Sequence, residues 1–471
     1  MRHRSDDLSV AFATTVLANL SPLVGVWFLG WDANQLAFVY TVEVLFAVSF
    51  AGVKAVFAAQ PPDYDDLEST EQTLDDTDGK AETGPSDLDR KRGGVQVVEW
   101  LPPVYPRNVP FAVKWFERTL IFAALLPAFL ARVVDPLAAL VEPATVLCAV
   151  SLVVSHVVSC YQRYIGQREY ETVSPQGVAR VPMQEAGVVL GIVSTAGIGL
   201  SATGFVVVSV AVKTIVACGQ YREGGVFGYF TTPSVDRPLR AVAAPDAPVT
   251  ESIRPNNRAV SVNGLLRGAQ KALGFAPFYL FLWMGIIILS DGGRINLAAV
   301  TLLSFVIVPL IVATLETIEY TLTHGWMSYQ RRDGTLVAYD ELTDTPQWTT
   351  PIGEFRRVEL SDRRLADRLF DSQTLTVTPT STSDELLVAH IQSTERMVAV
   401  FELPLATIEY DPFRLRFAGV VAILGALTVA VEALLPFTVV EGRLRVVLLL
   451  LLPFIIPATT FGFQKLWNRA Y

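Results

Sequence analysis

The sequence predicts a membrane all-α protein of about ten transmembrane helices that carries one small all-β insert. Hydrophobic residues make up 51% of the chain and charged residues only 18%, whereas soluble domains average about 25% charged. The apolar residues lie in blocks of about 20, the length that crosses the ~30 Å hydrocarbon core of a bilayer. One polar stretch, Glu319–Pro412, instead has short alternating runs bounded by turn residues, which favours strands.

The apolar blocks and the polar runs between them divide the chain into seven segments. They are residues 1–60, the first two transmembrane helices; 61–94, an acidic disordered linker; 95–220, an interfacial segment and four further transmembrane helices; 221–264, a cytoplasmic linker; 265–317, a transmembrane helix pair; 318–412, the soluble insert; and 413–471, a C-terminal transmembrane helix pair. Disorder is expected in the acidic linker because its Asp, Glu, Ser and Thr bury too little apolar surface.

Basic residues set the expected orientation of the helices. The loop Tyr221–Lys271 is rich in Lys, Arg and Pro, and the positive-inside rule places such a loop in the cytoplasm. The basic loop around Arg163 is expected in the cytoplasm as well, so an even number of membrane crossings must separate the two loops. We therefore divide Gln184–Thr214 into two short spans, although one long span remains open. Both termini and the insert are then cytoplasmic, in a multi-pass protein of the cell membrane.

Composition and motifs narrow the class of protein. Three cysteines lie in or at the edge of apolar blocks, which is neither a disulfide framework nor a zinc-binding spacing. The sequence has no Walker motif, no dinucleotide fingerprint and no nucleophile elbow. We expect no enzymatic activity, no cofactor, no metal and no nucleic-acid partner. Acidic polar segments with scarce Lys are associated with halophilic sources.

The insert contains seven short predicted strands. They are Glu319–Thr323, Met327–Gln330, Leu336–Tyr339, Phe355–Leu360, Thr374–Thr378, Leu386–Ile391 and Met397–Leu403, with a short helix expected at Leu405–Tyr410. Their number and turn signals predict a small antiparallel barrel or sandwich.

Two runs in the insert, YTLTHGWMSYQ and PIGEFRRVELSDRRLADRLFDSQTLTV, resemble the bacterial pleckstrin-homology-like domains of multi-pass membrane proteins. The resemblance rests on LADRLFDSQTL and departs from the family at Asp371, where Gly is frequent. It implies a fold and no ligand. The N-terminal half, with PPVYPRNVPFA after an acidic linker, is similar to an uncharacterised haloarchaeal membrane family, and this implies no activity.

A cluster of basic residues in the insert has two interpretations. Acidic residues outnumber basic ones twofold in the insert, so the domain as a whole should be repelled by anionic headgroups. The cluster is either a solvated face of alternating charge or a basic patch that faces the membrane. Its members are Arg356, Arg357, Arg363, Arg364 and Arg368.

Ionisable residues inside apolar blocks are costly and are therefore candidate sites. Glu43 lies in the middle of the second predicted helix, and Asn19 lies at a similar depth in the first at 1.5 Å rise per residue. One interpretation is an Asn19–Glu43 hydrogen bond with Glu43 protonated. The other is a proton- or cation-coupled site.

The three weaker candidates are Arg132, Asp135 and His156. Arg132 and Asp135 are three residues apart and share a helix face, so they either pair with each other or line a pathway. His156 and Cys160 are four apart and could supply two soft metal ligands, but a site needs three or four. Packing inside the helix bundle is the alternative. Lys213 is expected to extend towards a cytoplasmic membrane surface.

These observations lead to two hypotheses about function. A folded insert between apolar helices, without catalytic motifs, favours a non-enzymatic scaffold or sensor that contacts the lipid bilayer and a cytoplasmic protein partner. Glu43 inside the membrane favours instead a transporter or channel.

Overall fold

The computed structural model describes residues 30–62, 88–130, 143–195, 201–221, 242–275, 303–360, 365–380 and 385–405 continuously, with isolated residues elsewhere. The chain forms two compact units. The first comprises residues 1–90, 94–239 and 285–294, and the second comprises 91–93, 240–284 and 295–471.

The described part of the first unit is helical. Its helices are α1 (Ala33–Ala55), α2 (Val109–Leu130), α3 (Pro143–Ser159), α4 (Pro175–Thr195) and α5 (Ala202–Tyr221). Helix α1 begins at Asp32, whose side chain accepts a hydrogen bond from the Asn34 N–H at 2.8 Å and so caps an otherwise unpaired donor. Helix α1 then buries a series of Ala and Val side chains against α2, α4 and α5.

Two side chains fix α2 against α1. Asn108 donates hydrogen bonds to the carbonyls of Ala55 at 3.0 Å and Ala58 at 2.7 Å, which satisfies acceptors at the end of α1. The Trp115 indole N–H donates to the Val48 carbonyl at 2.7 Å, and its ring fills the space beside Gly52. The predicted interfacial segment is Val95–Glu117, and its residues from Asn108 onwards are therefore part of the helix bundle.

The second unit contains a close antiparallel helix pair, α6 (Asn257–Gly274) and α7 (Val308–His324). A Cβ atom at Gly268 would lie 2.4 Å from the Ala313 carbonyl oxygen, so the two backbones touch, as small residues allow. Glu316 of α7 is buried in this interface and accepts hydrogen bonds from Arg267 at 3.0 Å and Lys271 at 2.8 Å.

Two antiparallel sheets follow the helix pair. The first sheet has the order β1-β2-β3-β4 and the second has the order β5-β6-β7. A short helix α8 (Leu365–Leu369) precedes β6, and α9 (Thr394–Phe401) inserts the fully buried Met397 and Phe401 into the core between the strands. The strands are β1 (Glu251–Ile253), β2 (Met327–Arg332), β3 (Thr335–Asp340), β4 (Thr345–Pro351), β5 (Phe355–Leu360), β6 (Gln373–Pro379) and β7 (Leu386–Ile391).

The predicted fold class, an all-α membrane protein with about ten transmembrane helices and one all-β insert, is wrong. Among the described residues, three helices are long and apolar enough to cross a membrane: Asn34–Ala55, Thr145–Ile165 and Phe305–His324. The apolar stretch of α5, Val206–Ile215, has fewer than 18 residues, and α4 contains Pro182. The predicted pair 413–471 lies outside the described residues, apart from isolated positions. With its two sheets, the described chain is mixed α/β.

Two predicted strands are helices. Glu319–Thr323 is the last turn and a half of α7, which buries every fourth residue from Val308 to His324, a helical period that extends beyond the short local alternation. Met397–Leu403 lies largely in α9. Strand β1 lies in the predicted linker 221–264, and β4 was not predicted. The expected helix at Leu405–Tyr410 lies outside the described residues, apart from Leu405.

Candidate functional site

The first unit contains a buried carboxylate, Glu43, that is contacted from two other helices. Its side chain is about one-tenth exposed. One carboxylate oxygen forms an ion pair with the Lys213 ammonium of α5. The other lies 3.3 Å from His156 Nε2 of α3. Helix α1 therefore presents one negative charge to a cation and an imidazole that are far from it in sequence.

Aromatic rings surround this charge cluster. The Lys213 ammonium lies 4.6 Å from the centre of the Tyr40 ring, a distance suited to a cation–π contact. Tyr40 precedes Glu43 by three residues and so shares its helix face. The His156 ring lies 5.9 Å from that of Phe46. A charge in apolar surroundings persists only when it is paired. Lys213 supplies that pairing, and His156 places an imidazole nitrogen beside the second carboxylate oxygen.

The predicted candidates in the apolar blocks have different outcomes. Glu43 and His156 lie together, whereas Asn19, Arg132 and Asp135 lie outside the described residues. Lys213 points inward to Glu43, so the expectation that it extends to the membrane surface is wrong.

No group of three or more His, Cys, Asp or Glu side chains suited to a metal occurs among the described residues. Lys213 and Tyr40 were missed as members of the cluster. One sequence signal points to Lys213: a carboxylate buried in an apolar helix needs a cation beside it, and Lys213 is a cation in another apolar helix.

The second unit contains a hydrogen-bonded series of three buried side chains, Asp367, His390 and Tyr320. The Asp367 carboxylate lies 2.6 Å from His390 Nδ1, and His390 Nε2 lies 2.8 Å from the Tyr320 hydroxyl. Asp367 and His390 have no exposed surface. The series joins α8, β7 and the C-terminal end of α7.

Two hydroxyl groups complete the environment of Asp367. Ser372 donates to it at 2.7 Å and Thr374 at 3.0 Å. Burial by itself would raise the pKa of the Asp367 carboxyl, but hydrogen bonds from His390, Ser372 and Thr374 outweigh burial and hold that pKa below its usual value. Asp367 is therefore ionised near neutral pH, and its hydrogen bond holds the orientation of the His390 ring.

The backbone of His390 also takes part in this network. His390 has a φ of 56°, an uncommon value for a residue other than Gly. Its N–H donates to Thr374 at 3.2 Å, and its carbonyl accepts from the Asn256 N–H, just before α6, at 2.8 Å. The network therefore fastens both helices of the α6–α7 pair to the second sheet.

Sequence reasoning found no partner for His390. Its partners lie 23 and 70 residues away, so no local spacing identifies them. Asp367 lies in the same run of alternating charges as the basic cluster, and the short helix α8 buries its side chain.

The basic cluster is described in part. Arg356 and Arg357 lie on β5 and are exposed, and Arg357 forms an ion pair with Glu359 at 2.6 Å. Arg368 lies on α8, while Arg363 and Arg364 lie outside the described residues. Whether the cluster faces a membrane stays a prediction.

Comparison with known proteins yields one similarity. Residues 1–223 match a family of unknown function (DUF6498). No curated protein matches the chain, and no solved structure matches it. This match supports neither the expected haloarchaeal source nor the expected pleckstrin-homology-like domain. The first 223 residues are thus similar to a family of unknown function, and the three apolar helices make the chain compatible with a membrane protein of unknown activity.

Proposed function

We propose that this protein is a non-enzymatic membrane scaffold or sensor whose sheet-containing unit presents a binding surface to a protein partner. The observation that carries the proposal is the short connection between the apolar helix α7 and strand β2. Helix α7 belongs to a segment long and apolar enough to cross a membrane, and β2 begins three residues after its end at His324.

The connection is held by polar contacts as well as by the chain itself. Tyr320 in the last turns of α7 reaches His390 on β7, and Asp367 holds His390 from the other side. Buried hydrogen-bonded networks fix a unique geometry, because each unpaired member would incur a desolvation cost. A shift or rotation of α7 would therefore be transmitted to β7, which is the property that a sensor requires.

Sequence features supply the finer parts of the proposal. The similarity of LADRLFDSQTL to bacterial pleckstrin-homology-like domains supports a binding module, and the packing of α9 into the strand core agrees with it. The basic segment Tyr221–Lys271, which includes β1 and most of α6, supports a multi-pass protein with both termini and the sheets in the cytoplasm. The Lys-poor, acidic composition supports a halophilic source.

A photo-crosslinking residue placed on β5 tests the scaffold hypothesis in native membranes. In the full-length protein, we expect the crosslinker at Arg357 to give a protein adduct of discrete mass. The exposed turn residue Asp333 serves as the matched control position. If neither position gives a protein adduct, the scaffold hypothesis is contradicted. Lipid adducts at Arg357 would instead show that the basic cluster faces the membrane. Tyr320→Phe, which removes one hydroxyl, should change the Arg357 adduct yield if the protein is a sensor.

A transporter or channel is the second candidate function, supported by the Glu43 cluster. A carboxylate in contact with a Lys and a His inside apolar helices supplies the groups that a proton- or cation-coupled site requires. Three helices supply these groups, so a movement of any one of them would alter the charge balance at Glu43.

Reconstituted vesicles test this second candidate. We expect Glu43→Gln to abolish proton or cation flux, because a neutral amide neither carries a proton nor balances the charge of a cation. Glu117→Gln, on α2, serves as the matched control. Flux in Glu43→Gln equal to that of the unaltered protein would exclude the coupling role, and the ion pair would then be structural.

A further inference from the structure

Three residues from the N-terminal part of the chain fold within the second unit: Lys91, Arg92 and Gly93. Their contacts lie far away in sequence, with Arg92 and Gln347 separated by 255 positions. None of the three is apolar, so hydrophobic burial does not explain why they are held there. The contacts are polar and involve a different type of group at each position.

Lys91 is bound through its charge. Its ammonium forms an ion pair with Asp340 at the end of β3, and the two side chains are 3% and 0% exposed. The same ammonium donates to the Leu322 carbonyl in the last turn of α7, where helix carbonyls lack partners within the helix. Asp340 is itself oriented by the N–H of Leu342 at 2.7 Å.

Arg92 is bound mainly through its backbone. Its N–H donates to Gln347 Oε1 at 2.7 Å. Its carbonyl accepts from Thr345 Oγ1 at 3.1 Å and from Gln347 Nε2 at 3.2 Å. Its guanidinium donates to the Gln347 carbonyl. Both backbone groups of Arg92 are thus paired by side chains of β4, so the contact does not depend on the identity of the Arg92 side chain.

Gly93 is selected by its conformation and size. Its φ is +86°, and a Cβ at this position would lie 2.7 Å from Thr343 Cβ and 2.8 Å from Thr345 Oγ1. A residue with a side chain would be strained at this φ and would also collide with strand-end side chains. Charge, backbone pairing and a glycine are thus required at three consecutive positions.

We infer that Asp340, Thr343, Thr345 and Gln347 form a recognition slot for a Lys-Arg-Gly segment and that Lys91–Gly93 is its resident ligand. The slot fastens the end of the acidic run that precedes Lys91 in the sequence. Release of the resident segment leaves Asp340 and Gln347 free to bind a Lys-Arg-Gly peptide supplied from outside.

Trypsin digestion of the full-length protein in detergent micelles tests the resident contact, because trypsin cuts after Lys and Arg. The bond after Lys91 should be protected in the unaltered protein. Asp340→Asn and Gly93→Ala should each be cut there on the order of 100-fold faster, because a buried ion pair or a glycine-only conformation is lost. Glu341→Gln is the matched control, since Glu341 belongs to an exposed pair with Arg254, and its cutting rate should not change.

Peptide binding tests whether the slot recognises a ligand. A fluorescent peptide of residues 89–95 should bind the Gly93→Ala protein more tightly than the unaltered protein, whose slot is occupied. The same peptide with Lys91→Ala should not bind. Gly93→Ala alters the segment and leaves every receiving residue in place, so it separates release from loss of the fold. Equal cutting rates in all variants, or equal binding of both peptides, would overturn the inference.

Discussion

Asp367→Asn should be the most destabilising single substitution in the second unit. The change leaves His390 and two hydroxyl groups around a neutral amide, and disrupting such a buried charged network costs about 3–5 kcal/mol. Hydrogen exchange of the β6 and β7 amides in the full-length protein measures this loss, because opening of the strands is reported locally. Asp333→Asn, in the exposed β2–β3 turn, is the control and should leave the exchange rates unchanged.

The same substitution should remove a pH dependence. The pKa of Asp367 is lower in the folded protein than in the unfolded chain. Asp367 therefore stabilises the fold above its unfolded pKa of about 3.9, and this contribution is lost as the pH falls through the folded pKa. Between pH 6 and pH 3, the midpoint temperature of thermal unfolding should fall less in Asp367→Asn than in the unaltered protein. An identical decline would mean that Asp367 is not ionised in the fold.

Lys213→Met should be the most damaging substitution in the first unit. It removes the cation that neutralises Glu43, and an uncompensated buried charge costs about 3–5 kcal/mol. The double variant Glu43→Gln/Lys213→Met removes both charges and should recover most of the lost stability. Thermal unfolding of the purified protein in detergent compares the unaltered protein with Lys213→Met, Glu43→Gln and the double variant. A double variant as unstable as Lys213→Met alone would show that the two side chains are not coupled.

Local patterns predicted the elements that are continuous in sequence. Helix α1 was expected from its long apolar run, and the strands β2, β3, β5, β6 and β7 were expected close to their observed positions from short runs bounded by turn residues. The end of α7 was misassigned because five residues of alternation fit a strand as well as a helix, and only the packing of α6 against Glu316 and Tyr320 decides between them.

Contacts over long sequence distances were beyond local patterns. Glu43 was found because a carboxylate in an apolar block is rare in itself, but its partners Lys213 and His156 lie 170 and 113 residues away. Strand β1 has three residues and forms only because the edge of β2 is available to it. In the described part of the chain, three helices rather than about ten are long and apolar enough to cross a membrane, because an apolar composition alone does not specify a helix of that length.

Strand β1 also determines how the second unit tolerates dissection. Glu251, Ser252 and Ile253 pair with Arg331, Gln330 and Tyr329 along one side of the first sheet. A fragment that begins at residue 318 would leave this side of β2 with unpaired N–H and C=O groups. Exposed strand edges of this kind recruit strands from other molecules, so such a fragment would self-associate. A fragment that keeps the first sheet intact begins before Thr250.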